Sequence, residues 1–189
     1  MKAILLGMLV ALFPLRALAD EDAVRDLLSA LQKAASSSET PPHQLDLLSM
    51  TNDIQTRVNV AANRRTPSRA LIRLSADQSS SVRLYVVQNP NTPNAIADML
   101  AKDTDDEVRF FVAKYGAVSI EVLRDLAYDS APEVRAAVAV NCRTPPRTRM
   151  ALESDPVDEV SEAARLGAKT WRNAEHCLVH GRLVPAPRN

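Results

Sequence analysis

Glycine and aromatic residues are scarce in this chain of 189 residues, which has only four glycines and an aromatic content of 4%. β-Sandwiches and β-barrels use aromatic and β-branched residues in their strands and glycine in their turns, so the composition disfavours both. The 46% of hydrophobic residues are mainly Ala, Val and Leu, which favour short helices. The length allows one ordinary domain or a small array of repeats, and it excludes a large two-domain enzyme.

The chain also lacks an excess of either charge, because 23 basic side chains balance 23 acidic ones. Nucleic-acid binding requires an excess of Lys and Arg on one face, so we predict no nucleic-acid partner. The sequence has no glycine-rich phosphate loop, no Gly-x-Ser-x-Gly elbow and no His-Glu-x-x-His motif. We therefore predict a protein that is not an enzyme and that carries no metal and no cofactor.

Long hydrophobic runs are absent except at the N-terminus, where ten apolar residues span positions 4–13. This run is shorter than the roughly 20 residues that cross a bilayer. Lys2 precedes it, and Ala17-Leu18-Ala19 follows with the small-x-small pattern of a signal-peptidase site. We predict a signal peptide over 1–19, cleavage after Ala19, and a periplasmic or secreted mature chain of net charge −2. The alternative is a buried N-terminal helix.

The feature that organises the chain is a repeat of 26 residues, which continues through four units without insertion or deletion. Three columns of the repeat hold one residue type each: Asp77, Asp103, Asp129 and Asp155; Arg57, Arg83, Arg109 and Arg135; Leu74, Leu100, Leu126 and Leu152. Thr-Pro dipeptides recur at 66–67, 92–93 and 144–145. The final copy lacks the Arg and the Thr-Pro, as expected for a terminal unit with one face in water.

Each unit contains the pattern of two helices. Val82, Tyr85 and Val86 have the i, i+3, i+4 spacing of a helix that is buried along one stripe. Leu100, in the second half of the unit, belongs to the recurring leucine column and is expected to face inward from a second, shorter helix. One such pair cannot bury its apolar face alone, so neighbouring pairs must stack.

The helix ends have their own signals. Ser130 and Glu133 show the spacing of a capping box, which predicts the start of a first helix. The recurring asparagine, for example Asn89, is expected to end that helix in the left-handed conformation. In Thr92-Pro93 the threonine is expected to cap the second helix, whose first position suits a proline.

These patterns resemble a known family. The segment 82–93, VRLYVVQNPNTP, followed by LAKD at 100–103, is similar to the leucine-rich repeat variant of the HEAT and armadillo superfamily. Residues 135–145, RAAVAVNCRTP, match nearly as well. The resemblance covers about residues 54–165 and implies a right-handed superhelix in which an α-helix alternates with a shorter, partly 3₁₀ helix. It implies little about chemistry, because function resides in sites placed on folds.

The predicted fold is therefore an all-α solenoid of about five helical-pair repeats of 26 residues each. N-terminal capping helices are expected over 20–51, the repeats over 52–171 and an extended C-terminal tail over 172–189. We predict that the recurring charges are structural, because Arg83, Arg109 and Arg135 each follow an Asp by six residues and the two columns can bridge within and between units. The alternative is a basic ladder for an acidic partner.

A candidate partner-binding surface follows the arginine column along the first helix. Leu84 and Phe110 come directly after an arginine, and Lys114 lies one turn further on the same face. These positions lie off the inward stripe, and an exposed apolar patch there would mark a binding site. The alternative is that these side chains pack against the next helix.

Two cysteines, Cys142 and Cys177, would experience an oxidising compartment after export and are candidates for a disulfide that holds the tail on the last repeat. The alternative use of Cys177 is a metal site with His176 and His180. That cluster offers too few rigidly supported ligands, so we predict no metal there.

The predicted function is a non-catalytic periplasmic interaction module, an adaptor or scaffold that binds a protein or peptide on the solenoid surface. One alternative is an inhibitor or immunity-type protein that caps a toxin or hydrolase. A further alternative is a HEAT-like enzyme with a small-molecule groove. An enzyme of this kind would need Tyr85, Phe111 and Tyr115 to point into a groove, whereas the helical stripe predicts that they face the core.

Overall fold

A computed structural model describes residues 21–115, 118–171, 176–179 and 182–185; the predicted signal peptide lies outside these ranges. In chain order the elements are α1 Glu21–Ser36, α2 Pro42–Leu48, α3 Ile54–Ala62, α4 Ser68–Leu74, α5 Ser80–Gln88, α6 Asn94–Leu100, α7 Asp106–Tyr115, α8 Ile120–Leu126, α9 Pro132–Val140, α10 Pro146–Leu152, α11 Asp158–Trp171, β1 His176–Val179 and β2 Arg182–Pro185. Within the described ranges, no helix has the length and apolar character needed to span a membrane.

The even-numbered helices are all seven residues long and most of them begin after a proline. Pro67 and Pro145 are the N-cap residues of α4 and α10, with extended backbone. The expected threonine cap, stated for Thr92, is wrong, because α6 has Pro93 as its N-cap residue and no side-chain cap, and the same holds for α4 and α10. Thr66 Oγ1 instead donates 2.6 Å to the Val60 carbonyl, so the hydroxyl ties the turn back to the end of the preceding helix.

The same short helices end in a tightened turn. The N–H of Tyr128 donates to the Asp125 carbonyl and the N–H of Asp129 to the Leu126 carbonyl, both with 3₁₀-type spacing. This turn brings Asp129 to the start of α9, where its Oδ1 accepts the Ala131 N–H at 2.9 Å. The expected capping box at Ser130 is wrong, because the N-cap residue of α9 is Ala131 and it makes no side-chain cap.

The recurring asparagines bind the end of the first helix of the preceding repeat. Asn89 is extended, with φ −76° and ψ 124°, so the expected left-handed conformation is wrong. Its Nδ2 donates to the carbonyls of Ala61 and Asn63 at 2.6 and 2.9 Å, and its Oδ1 accepts the Asn91 N–H at 2.9 Å. Asn63 and Asn141 make corresponding contacts with earlier carbonyls. Each of these amides therefore satisfies open carbonyls at the C-terminal end of the first helix in the preceding repeat.

The described chain forms two compact units, of which the first ends at Asn91. In this unit α1, α3 and α5 pack side by side, while α2 and α4 pack on them. The core contains Leu45, Val60, Leu71 and Val86, all fully buried. Tyr85 is 38% exposed, so the predicted inward stripe is wrong at this residue.

The second unit begins at Thr92. Here α7, α9 and α11 pack in succession, and α8 and α10 pack against α9. Val108, Val112, Val134 and Val138 are fully buried between them. This repeated packing of helical pairs confirms the predicted all-α, solenoid-type repeat fold.

The tail differs from the helical pattern. β1 and β2 pair in antiparallel register, with His176 opposite Pro185 and Val179 opposite Arg182. The sequence predicts only an extended tail over 172–189, and within the described ranges this strand pair is the exception to a helical structure.

Candidate functional site

The arginine column forms a ladder of hydrogen bonds between consecutive repeats. Arg109 Nε and Nη2 donate to the two carboxylate oxygens of Asp129 at 2.7 and 2.9 Å, and Nη1 donates 2.9 Å to the Asp103 carbonyl. The side chains of this pair are 14% and 8% exposed. One guanidinium therefore binds the main-chain carbonyl of the aspartate six residues before it and the carboxylate of the aspartate twenty residues after it.

The same geometry recurs in both compact units. Arg57 binds Asp77 at 2.6 and 3.1 Å, and Arg135 binds Asp155 at 2.7 and 3.0 Å. Arg83 makes the main-chain contact, 2.8 Å to the Asp77 carbonyl. Bidentate pairs of this kind are strong and geometrically specific. The guanidinium groups of Arg57, Arg109 and Arg135 are thus engaged by neighbouring carboxylates.

Electrostatics in the ladder favour the charged forms. Burial would by itself raise the pKa of Asp129, but hydrogen bonds from Arg109 and the Ala131 N–H hold that pKa below its ordinary value. The hydrogen bonds from Arg135 likewise lower the pKa of Asp155. The bond to Asp129 raises the pKa of Arg109. The ladder therefore consists of ion pairs over the whole neutral pH range.

A second group of side chains, which we call the aromatic cluster, lies on α7 and comprises Phe110, Phe111, Lys114 and Tyr115. The rings of Phe110 and Phe111 meet edge to face with centroids 5.4 Å apart, and Phe111 lies 5.6 Å from Tyr115. Lys114 Nζ lies 5.3 Å from the Phe110 centroid and 5.1 Å from the Tyr115 centroid. The ammonium thus has two aromatic neighbours at cation–π distance.

The aromatic cluster is only partly covered. Phe110 and Phe111 are half-buried, and Tyr115 is 41% exposed. Phe111 and Tyr115 were expected to face the core, which is wrong for Tyr115. A group of partly exposed aromatic side chains at the surface is typical of a contact site.

An open hollow of about 240 Å³ adjoins the aromatic cluster between α7 and α9; we call it the acidic hollow. Its lining comprises Asp106, Glu107, Phe110, Ala131, Glu133 and Val134. The three acidic residues are exposed, whereas Val134 is buried. The hollow therefore combines negative charge with the side of an aromatic ring.

The predicted surface residues fall in different compact units. Leu84 is half-buried on α5 in the first unit, while Phe110 and Lys114 lie on α7 in the second. Sequence reasoning missed Tyr115, Glu107 and Glu133 as surface residues of interest. The recurrence of Glu107, Glu133 and Glu159 at 26-residue spacing is a signal that could have found the acidic side of the hollow.

Of the two cysteines that are predicted to form a disulfide, the structure describes the side chain of Cys142. Cys142 is 9% exposed just after α9. The side chain of Cys177 lies outside the described residues, so the bond remains a prediction. The proposed competing ligands His176 and His180 are likewise outside the described side chains. Among the residues that are described, no cluster of three His, Cys, Asp or Glu residues suits a metal ion.

Comparison with known proteins supports the repeat fold. The chain is similar to a solved leucine-rich repeat variant, described as having a novel repetitive structural motif. The TM-score is 0.60 and the identity 29%, over 86% of this chain and 70% of that one. An engineered protein aligns at a TM-score of 0.41 and 16% identity, over 88% of this chain and 96% of that one. No family model and no curated protein matches the sequence.

Proposed function

We propose that this chain is an exported, non-catalytic interaction module that binds a protein or peptide segment on the outer face of α7 and α9. It acts in this proposal as an adaptor or scaffold of the leucine-rich repeat variant family, within the HEAT and armadillo group, and has no nucleic-acid partner. The general role rests on the fold, because stacked helical repeats present extended surfaces suited to protein contacts.

The aromatic cluster is the observation that supports this location. Aromatic side chains contribute a large share of the energy at protein interfaces, and partly buried rings lose little conformational freedom on binding. Phe110 and Tyr115 already contact Phe111 and Lys114, so their orientation is set before a partner arrives. A preorganised surface of this kind binds at a lower entropic cost.

The acidic hollow supports a particular kind of partner segment. Glu107, Glu133 and Asp106 surround one side of Phe110. A lysine or arginine side chain in the hollow would meet carboxylates and an aromatic ring together, an arrangement that binds cations well. We therefore propose a segment that carries both basic and apolar residues.

Export is the second part of the proposal and rests on the N-terminal sequence alone. The short apolar run, Lys2 and Ala17-Leu18-Ala19 fit a cleaved secretion signal. Cell fractionation followed by N-terminal sequencing tests this part. A mature N-terminus at Asp20 in a periplasmic or extracellular fraction is the expected result. An intact Met1 in the cytosolic fraction would contradict it.

Binding is tested with a random peptide library selected on the immobilised chain. We expect enrichment of basic and apolar peptides, with affinity reduced about tenfold by Phe110→Ala and by Glu133→Gln. Ile72→Ala and Glu121→Gln, which change exposed residues on α4 and α8, are matched controls that should leave affinity unchanged. Peptides that bind equally well to Phe110→Ala would refute the proposed surface.

A further inference from the structure

A second open hollow of this unit lies between α8 and α10 and has a volume of about 600 Å³. We call it the α8–α10 hollow. Its lining includes Arg124, Tyr128 and Arg147 at the rim and Ala127 and Leu152 below. Its volume lies in the range of about 300–1,000 Å³ that is usual for ligand pockets.

The charged residues of this hollow differ in how strongly neighbouring side chains bind them. The aspartates in its wall, Asp129 and Asp155, are held by Arg109 and Arg135 through the ladder. Arg124 has only a long contact of 3.9 Å with Glu121, and the two side chains are 59% and 75% exposed. Pairs so exposed contribute little.

The rim guanidiniums remain available for an anion. Arg147 is exposed at the start of α10. The acidic side chains nearest in sequence to Arg124, Glu121 and Asp125, do not line the hollow. Solvent in the hollow therefore faces two guanidinium groups, and among the described lining residues both carboxylates are already bound by arginines.

Tyr128 adds an aromatic surface and a hydroxyl to the same place. It is 83% exposed, far more than an aromatic side chain that serves the core. The other repeats carry Met50, Ala76, Lys102 and Ser154 at this position, so the feature belongs to one repeat. A ring beside two arginines can pack on aliphatic parts of a ligand while its hydroxyl donates to a carboxylate.

We propose that the α8–α10 hollow binds an acidic segment of a partner protein. Carboxylates of the segment bind Arg124 and Arg147, and its apolar side chains contact Tyr128, Ala127 and Leu152. Guanidinium groups bind carboxylates through two parallel hydrogen bonds, which gives this recognition a preferred geometry. The site is separate from the surface of α7 and α9 and selects peptides of opposite charge.

The test uses three fluorescein-labelled eight-residue peptides, in which leucine alternates with glutamate, glutamine or lysine, and fluorescence polarisation with the purified chain. The glutamate peptide is expected to bind at least tenfold more tightly than the glutamine peptide. The combined Arg124→Gln and Arg147→Gln variant should remove that advantage, and Tyr128→Ala should weaken binding of the glutamate peptide several-fold. Rising ionic strength should weaken binding as well.

Arg69→Gln is the matched control, because Arg69 occupies the position of Arg147 in an earlier repeat and is also exposed. It should leave the affinity unchanged. Equal affinity for the glutamate and glutamine peptides, an unaffected double variant, or no binding of the glutamate peptide to the wild-type chain would overturn the proposal. Thermal melts confirm that each variant is folded.

The lysine peptide keeps this result separate from the proposed function. If Glu133→Gln loses binding of the lysine peptide, that peptide binds in the acidic hollow. This result does not depend on the outcome at the α8–α10 hollow. If the double arginine variant lost binding of the lysine peptide, the α8–α10 hollow would not select acidic segments, and the proposal would be wrong.

Discussion

Arg149 occupies space that Gly167 leaves open, and there it replaces a missing asparagine. Its Nε donates 3.0 Å to the Ala139 carbonyl and its Nη2 donates 2.8 Å to the Asn141 carbonyl. In an earlier repeat Asn89 binds the two equivalent carbonyls, whereas the asparagine column has glycine at 167. Arg149 is 5% exposed, and its guanidinium lies against the C-terminal end of α9, where a helix favours positive charge.

Gly167→Ala should destabilise the protein. Glycine to alanine within a helix usually stabilises by about 0.5–1 kcal/mol, but here the new Cβ would overlap the Ala139 carbonyl oxygen and crowd Arg149 Nε. We expect a loss of about 1–3 kcal/mol, typical of overpacking. Urea denaturation measures it, with the exposed Thr170→Ala on the same helix as control. A stabilised Gly167→Ala would contradict this account.

Arg109→Ala should cost stability before it affects binding. The substitution leaves Asp129, whose side chain is 8% exposed, without its guanidinium. Removal of one partner from a buried pair costs about 3–5 kcal/mol. Arg124→Ala breaks only an exposed pair and should change the unfolding free energy by less than about 1 kcal/mol. An Arg109→Ala variant that melts like the wild type but loses a partner would instead favour a binding role for the ladder.

Acid should destabilise the array through the same aspartates. The pKa values of Asp77, Asp129 and Asp155 are lowered in the folded chain, so folding favours their ionised forms. Their contribution is fully present above the unfolded pKa of about 3.9 and disappears as the pH falls through the lowered pKa values.

Urea denaturation between pH 3 and pH 7, measured on the wild type and Asp129→Asn, tests this sign. We expect stability to be nearly constant above about pH 5 and to fall below about pH 4. The difference between the two proteins should shrink with acid. A wild-type chain that gains stability below pH 4 would disagree with the direction of the pKa shifts.

Asn89→Asp should weaken the junction between helices. The carboxylate keeps the shape of the amide but cannot donate to the carbonyls of Ala61 and Asn63. A buried acceptor that loses its donor costs about 1–3 kcal/mol. Asn94→Asp is the matched control, because Asn94 is exposed at the start of α6, where a negative charge is tolerated or favourable. Equal melting temperatures for the two variants would show that the buried amide is dispensable.

The predicted Cys142–Cys177 bond is tested by thiol counting. We expect no reactive thiol in the denatured, unreduced chain and two after reduction. Reduction should lower the unfolding free energy by about 2–4 kcal/mol, because the bond restricts the unfolded chain. Two thiols that react before reduction would rule the bond out.

The period of the sequence is sufficient to predict helical pairs, because the columns of valine and leucine repeat without a gap and must face one core. The arginine and aspartate columns likewise indicate contacts between them. Their spacing does not say which aspartate each arginine meets. The choice depends on the tightened turn after the short helix, which brings Asp129 toward Arg109.

The polar side chains of the turns are the part that local patterns do not predict. Thr66 and Asn89 have types that commonly cap helices, yet both bind carbonyls of preceding helices. The two carbonyls that Asn89 binds belong to the repeat before it, so they become available only after the helices have packed. The replacement of asparagine by Arg149 is even less visible, because the guanidinium comes from a different helix and depends on the missing Cβ at Gly167.

The ladder also limits how this array can change length. Each described arginine–aspartate pair of the ladder, which we call a rung, spans one short helix and the turns on either side of it. The two residues are 20 positions apart at Arg57, Arg109 and Arg135 alike. A single residue inserted within that span would move the arginine of that rung out of line with its aspartate. Removal or duplication of a whole 26-residue period would leave every remaining rung in register, so we expect the array to tolerate changes in length only in complete repeats.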